Sequence, residues 1–135
     1  MNVERLKRAI AIIEATPSKQ LNLRFWQRGE KDTTKKQYVS SVQEVHCGTI
    51  ACAAGWLALN PEMNAEGLSC GPFGYPVFEE HTQFAALQHF FDIRDVEAYR
   101  LFNSRTIFEQ CGGRELLSDK QIWLVRATQL LATAE

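Results

Sequence analysis

The stretch that decides the fold is residues 46–61, HCGTIACAAGWLALNP. Thr49 is a residue type that caps helices, ten residues without a charged or polar side chain follow it, and Pro61 closes the run. The pattern predicts a helix over residues 50–59 that is apolar on every face. A helix of this kind is buried, so we expect it at the centre of the fold, with Trp56 as its bulky core anchor.

Four further helices are predicted around this central one. The first begins after Asn2 and ends near Ala15, because Pro17 disfavours helical geometry at the residue before it. The second and third lie within residues 84–102, and the last starts at a capping box over residues 118–121. Apolar residues at helical spacing are expected to face the core: Val3, Leu6, Ile10, Ile13, Phe84, Leu87, Phe91, Val96, Tyr99, Phe102, Ile122, Trp123, Ala127, Leu130 and Leu131.

Short extended segments complete the predicted fold. Apolar and polar residues alternate over residues 21–25, and a loop rich in Gly and Pro over residues 64–76 precedes an extended piece at residues 77–78. The acidic pair at residues 79–80 suits the positive end of the helix that follows. We predict a mainly α, single compact domain over residues 1–135, with about five helices and one or two short extended segments.

Charge is balanced overall but uneven along the chain. The 135 residues contain 15 Lys and Arg against 16 Asp and Glu, and a net charge of -1 argues against a general nucleic-acid binder. Basic residues dominate residues 1–40, whereas acidic residues dominate residues 41–97. These regions either neutralise each other in the fold or form two sides of a polar molecule, and we favour the first interpretation.

We expect neither an export signal nor a membrane span. The first eight residues carry four charges, where a signal would need an apolar core. A helix over residues 50–59 would extend about 15 Å, against a hydrocarbon core of about 30 Å. The chain is therefore predicted to be cytoplasmic, where cysteines stay reduced. On this basis we interpret all four as thiols: Cys47, Cys52, Cys70 and Cys111.

Residues 47–56 resemble the C-G-T-x-A-C-x-x-G-W motif of a loosely defined, functionally uncharacterised family of small phage, prophage and bacterial proteins. The matching residues are Cys47, Gly48, Thr49, Cys52, Gly55 and Trp56. The resemblance implies a phage-related origin and no particular reaction. By analogy with other phage proteins of this size, we expect a protein that binds and modulates or inhibits a host protein, such as a defence component, in the host cytoplasm and without a cofactor.

A cysteine-dependent enzyme is the main alternative. Cys47 precedes the predicted helix start, where the pKa of a thiol is lowered and the thiolate can act as a nucleophile. His46 is adjacent in sequence and therefore poorly placed as its base, and His81 and His89 have no identifiable Asn or Asp partner. We favour a packing role for Cys47 over catalysis.

A metal site is a weaker alternative. Structural zinc sites use Cys pairs with two to four residues between them, which Cys47 and Cys52 satisfy only at the limit, while Cys70 and Cys111 stand alone. The spacing is poor for the available donors, so we expect no metal. The full set of donors is His46, Cys47, Cys52, Cys70, His81, His89 and Cys111.

A helix-turn-helix over residues 84–102 is the third alternative. Two apolar helices flank a tight turn there, although the turn lacks its usual glycine. Asp95 and Glu97 stand near the start of the would-be recognition helix, where a DNA reader needs Arg, Lys, Gln or Asn. We favour an ordinary helical corner.

The candidate partner-binding surface is the polar stretch at residues 27–37, which has no apolar residue and is predicted to be a solvated loop. Four basic residues against two acidic ones allow it to steer an acidic partner. An inert connector is the competing interpretation, and the acidic stretch around Glu62, Glu66, Glu79 and Glu80 is the other candidate interface. The four basic residues are Arg28, Lys31, Lys35 and Lys36.

Overall fold

The chain folds into a mainly helical domain, as the sequence predicts. The computed structural model describes residues 1–24, 26–28, 50–71, 74–104, 106, 109 and 117–134. Within that part of the chain there are six α-helices: α1 (Val3–Ala15), α2 (Ala53–Leu59), α3 (Pro61–Ala65), α4 (Gln83–Phe91), α5 (Asp95–Phe102) and α6 (Asp119–Ala132).

Five short strands accompany these helices in two small antiparallel sheets. The strands are β1 (Gln27–Arg28), β2 (Ile50–Ala51), β3 (Ser69–Cys70), β4 (Pro76–Phe78) and β5 (His81–Thr82). The first sheet pairs β1 with β2, with Arg28 opposite Ile50. The second has the order β3-β4-β5, and α4 packs against it. No helix in the described residues is long and apolar enough to cross a membrane.

The two longest helices begin where local sequence signals place them. The Asn2 side chain accepts a hydrogen bond from the Arg5 N–H at 3.0 Å and caps α1, which ends at Ala15 as predicted. Ser118 and Gln121 form the reciprocal capping box of α6, at 3.2 and 2.9 Å. Capping depends only on neighbours within one turn, which explains why these predictions are confirmed.

The prediction of one helix over residues 50–59 is wrong at its start, whereas its end at Leu59 is confirmed. Residues 50–51 form β2, and α2 begins only at Ala53, because the extended backbone of Cys52 caps the helix. Pro61 does not merely stop the run. It is the first residue of α3, whose cap is Asn60, consistent with the preference of proline for a first helical turn.

The central position of α2 is confirmed, but the predicted core position of Trp56 is not. Ala53, Ala54 and Leu57 are fully buried, whereas Trp56 is only partly buried. The large aromatic core position is taken by Trp123, which is fully buried with its ring centroid 5.9 Å from that of Phe102. The buried residues of α2 are alanine, glycine and leucine, and its one aromatic residue lies partly at the surface.

Residues 79–80 are also placed differently from the prediction. Glu79 and Glu80 form the turn between β4 and β5, and Glu79 adopts a left-handed backbone with φ 55°. Helix α4 begins three residues later, at Gln83. The acidic pair therefore lies in a hairpin turn and not in the first turn of the helix.

Part of the basic opening region and part of the acidic middle region neutralise each other in the fold. Arg5 and Arg8 on α1 both pair with Glu66, the residue that ends α3, at 3.2 and 2.7 Å. Arg5 also donates to the Phe90 carbonyl at 2.8 Å. These contacts support the neutralising interpretation for this part of the charge pattern.

Candidate functional site

Cys52 is a structural residue of the quoted motif. Its Sγ accepts a hydrogen bond from the Gly55 N–H at 3.4 Å and thereby caps α2. The side chain is 1% exposed, and burial raises the pKa of the thiol to about 12. A thiol with this pKa stays protonated at neutral pH, and only the thiolate is a competent nucleophile.

Gly55 and Trp56 hold the preceding chain segment against α2. A Cβ at position 55 would overlap the carbonyl oxygen of Trp26, so this close approach requires glycine. The Trp56 indole N–H donates to the Gln20 carbonyl at 2.9 Å, and the Cys52 N–H donates to the Trp26 carbonyl at 3.3 Å. The described half of the motif is therefore a clamp that holds the backbone of Gln20 and of Trp26 against the central helix.

The other half of the motif lies outside the described residues. Cys47, the candidate nucleophile, is among these positions, together with Gly48 and Thr49. The prediction that Thr49 caps the central helix is wrong, since Cys52 caps α2. Cys52, Gly55 and Trp56 thus have a structural role in the motif, and this role does not require a reactive side chain.

The predicted metal donors are only partly described. His46, Cys47 and Cys111 fall outside the described residues. Within the described part of the chain, no three side chains of His, Cys, Asp or Glu are grouped as a metal site would require. His81 and His89 stack face to face, with centroids 3.7 Å apart and planes at 7°. Parallel rings direct their in-plane nitrogen lone pairs side by side and not onto one shared ion.

Of the predicted basic loop at residues 27–37, the structure describes only residues 27–28. Arg28 lies in β1, so the chain at residues 27–28 is a strand and not the start of a loop as predicted. Lys31, Lys35 and Lys36 lie outside the described residues. Arg28 pairs with Ile50 in the first sheet, so these two described residues lie next to each other.

The feature that sequence reasoning missed is a patch of three aromatic rings and one valine, which we call the aromatic surface: Trp26, Phe84, Val96 and Tyr99. Trp26 and Phe84 are partly buried in this patch, and the other two residues are exposed. The ring centroid of Phe84 lies 5.1 Å from that of Trp26 and 5.2 Å from that of Tyr99. Val96 lies one turn before Tyr99 on α5. Tyr99 is 53% exposed and Val96 39% exposed. Apolar groups on three separate chain segments thus meet in one surface patch.

The prediction that Val96 and Tyr99 face the core is wrong. Helix α5 contains a second set of apolar residues at helical spacing, Ala98, Leu101 and Phe102, and this set is buried. Both sets satisfy the periodicity rule, so the pattern alone could not choose between them. The exposed set is the only signal in α5 that could have indicated a binding surface.

The structure shows the helical corner that the helix-turn-helix alternative and the competing interpretation share. Helices α4 and α5 pack against each other across residues 92–94. The Glu97 side chain, in the first turn of α5, accepts from the Arg94 N–H at 2.9 Å and pairs with its guanidinium at 3.2 Å. The exposed residues of α5 and its cap thus include two basic side chains, Arg94 and Arg100, beside Asp95, Val96 and Tyr99.

A shallow groove of about 420 Å³ lies between α1 and the junction of α2 with α3. Its apolar part comes from Ile12, Ala15, Trp56, Leu59 and Pro61. The partly buried ring of Trp56 therefore contributes both to the clamp and to this groove.

Comparison with known proteins adds no relative. The chain matches no protein-family model, no curated protein and no solved structure. The resemblance of residues 47–56 to the phage and prophage family therefore stays a prediction from those residues.

Proposed function

We propose that this protein is a small interaction protein that binds another protein and modulates or inhibits it. The aromatic surface carries the proposal. Tyr and Trp are enriched among the residues that contribute most to protein-protein affinity, because they bury a large area at a small cost in conformational entropy. An exposed Tyr99 packed on Phe84, which itself contacts Trp26, gives a partner such an anchor.

The internal geometry of the patch also suits binding. The backbone of Trp26 is fixed on α2, because its carbonyl oxygen accepts a hydrogen bond from the Cys52 N–H and lies against Gly55. Phe84 is fixed between two rings, at the start of α4. Side chains that are already ordered lose less entropy on binding than mobile ones, so a patch of this kind binds more tightly per unit of buried area.

The phage-type resemblance supports the choice of target. A small non-enzymatic protein of phage origin acts by occupying a component of the host, so the proposed partner is a bacterial host protein, with defence components among the candidates. The proposed location is accordingly the host cytoplasm.

Affinity capture from a bacterial lysate tests the proposal when the wild-type chain is compared with Tyr99→Ala. We expect one protein to be recovered in stoichiometric amounts by the wild type, and recovery to fall by about ten-fold or more with Tyr99→Ala. Gln129→Ala, an exposed position on α6, is the matched control and should recover as much as the wild type. Thermal unfolding confirms that both variants are folded.

Binding of the recovered protein is then measured with purified components by calorimetry. Equal affinity of the wild type and Tyr99→Ala would show that the aromatic surface is not the binding site. Absence of any stoichiometric partner in lysates of susceptible hosts would contradict the proposed function itself.

A further inference from the structure

We infer that the groove between α1 and the junction of α2 with α3 binds a small zwitterion with an apolar side chain, of the class of the free amino acids phenylalanine and leucine. This inference goes beyond the proposed function and does not depend on the aromatic surface. Its evidence is the size of the groove, its apolar end, and the one positive and one negative side chain that line its other end.

The size of the groove suits a small molecule better than a protein surface. Its volume of about 420 Å³ falls within the range of small-molecule sites, about 300 to 1,000 Å³. Ten residues line it, whereas a stable protein interface takes about 20 to 30 residues from each side. The expected occupant is therefore a single small ligand.

The contacts around the groove give it a charged end and an apolar end. Arg8 and Glu62 lie at the same end, because the Arg8 guanidinium pairs with Glu66 at 2.7 Å and Glu62 stands one helical turn before Glu66. Trp56 lies at the other end, because its indole N–H donates to the carbonyl of Gln20, soon after α1 ends, at 2.9 Å. A ligand that spans the groove therefore has a charged part and an apolar part.

The side-chain donors at the apolar end are already used within the protein. The Trp56 indole N–H is bound to Gln20, and the Thr16 hydroxyl donates to the Ile12 carbonyl at 2.9 Å. The Trp56 ring and the side chains of Ile12 and Ala15 thus offer a ligand an apolar surface. Such a surface favours an aliphatic or aromatic group, and a ring gains further from packing on the indole.

The charged residues that line the groove are Arg8 and Glu62. The Glu66 carboxylate is shared by Arg5 at 3.2 Å and Arg8 at 2.7 Å, so these three side chains keep an excess of one positive charge. Glu62 is exposed and forms no ion pair with any residue in the described part of the chain. The other charged side chains of α1 do not line the groove: Glu4, Lys7 and Glu14.

One positive and one negative group together select a ligand that carries one of each. A guanidinium has five N–H donors, so Arg8 can bind a ligand carboxylate while it keeps its ion pair with Glu66. The Glu62 carboxylate can accept from a ligand ammonium group. A free amino acid holds both charges on one carbon atom and its side chain beside them, whereas a simple anion or cation would meet one like charge.

NMR titration with L-phenylalanine tests this inference. We expect saturable chemical-shift changes at the Trp56 indole N–H and at the amides of Ile12 and Ala15, with a dissociation constant on the order of 1 mM for a ligand of this size. Phenylalanine methyl ester lacks the carboxylate, and 3-phenylpropionate lacks the ammonium group. Each should bind at least about five-fold more weakly than phenylalanine.

Two kinds of variant test the groove from the protein side. Arg8→Gln and Glu62→Gln should each weaken binding by about five-fold, whereas Lys7→Gln, an exposed change outside the groove, should bind as the wild type does. Ala15→Phe keeps both charges and the Arg8 ion pair but fills the apolar end, so it should abolish binding. Glu14→Phe adds the same ring at the neighbouring exposed position outside the groove and should not. Thermal unfolding confirms that each variant is folded.

Four outcomes would overturn the inference. They are absence of saturable shifts with phenylalanine, equal binding of the ester and of 3-phenylpropionate, undiminished binding by Ala15→Phe, and tighter binding of the dipeptide Leu-Phe, whose two charges lie further apart. Each would reject the amino-acid ligand but leave the comparison of Tyr99→Ala with Gln129→Ala intact. The proposed function is rejected only by that capture experiment, so the two failures are distinguishable.

Discussion

Gly55 illustrates how a single missing side chain determines the position of a neighbouring segment. The carbonyl oxygen of Trp26 occupies the space that a Cβ at position 55 would need. The same carbonyl accepts from the Cys52 N–H at 3.3 Å. The glycine is thus required by close backbone approach and not by a special backbone conformation.

We predict that Gly55→Ala destabilises the protein by about 1 to 3 kcal/mol, because the added methyl group forces the segment at Trp26 away from α2. At an unconstrained helical position the same change would stabilise by up to about 1 kcal/mol. The sign of the change in the free energy of unfolding, measured by urea unfolding, therefore shows whether position 55 is constrained by the Trp26 carbonyl. A stabilised variant would show that the close approach at Trp26 is absent.

At the scale of elements, Arg126 joins α6 to the end of α5. Its guanidinium donates to the Asn103 and Ser104 carbonyls at 2.6 and 3.0 Å and pairs with the Glu109 carboxylate at 2.6 Å. Burial of Glu109 acts to raise the pKa of its carboxyl, but hydrogen bonds from Arg126 and from the Thr106 N–H outweigh this effect and lower the pKa. Arg126 therefore ties Asn103, Ser104 and Glu109 to α6.

Arg126→Met should lower the free energy of unfolding by about 3 to 5 kcal/mol at pH 7, because it leaves a buried carboxylate without its partner. A lowered pKa in the folded state stabilises the protein above the ordinary glutamate value of about 4.3, and this contribution is lost as the pH falls through the folded-state pKa. The difference between wild type and Arg126→Met should thus shrink between pH 5 and pH 3 in urea unfolding.

The matched control is Arg100→Met, which removes an exposed arginine from α5. Its stability relative to the wild type should not change with pH over the same range. A pH-independent difference for Arg126→Met would mean that the Glu109 carboxylate does not contribute to stability through this pair.

At the scale of the whole molecule, Arg5 links the N-terminal helix to both the acidic middle region and the second sheet. It pairs with Glu66, donates to the Phe90 carbonyl at 2.8 Å, and lies 4.3 Å from the centroid of the Phe90 ring and 5.6 Å from that of Phe78. The Arg5 side chain thus contacts the residue that caps the end of α3, Phe90 on α4 and Phe78 on β4.

We predict that Arg5→Gln lowers the free energy of unfolding by about 2 to 3 kcal/mol, since it removes a charged hydrogen bond, an ion pair and two ring contacts. Lys7→Gln, an exposed change on the same helix, should stay within about 0.5 kcal/mol of the wild type. Both values come from urea unfolding. Similar losses in the two variants would show that general charge, and not the Arg5 contacts, is responsible.

The sequence alone determined the helix boundaries that depend on local chemistry. Asn2, the residue before Pro17 and the pair Ser118 and Gln121 define helix ends through bonds within one turn. The burial of α2 was equally predictable, because a helix of small apolar residues has no face suited to water. These signals were sufficient for the mainly α fold and its central helix.

For residues 50–51 and for α5, the sequence allows two arrangements, and only tertiary contacts decide between them. Residues 50–51 are apolar enough for a helix, but pairing with β1 makes them a strand. In α5, packing buries Ala98 and Leu101 and leaves Tyr99 at the surface, although both sets of residues have helical spacing. The aromatic surface escaped prediction for this reason: three segments distant in sequence meet there, and periodicity within one segment cannot report on its neighbours.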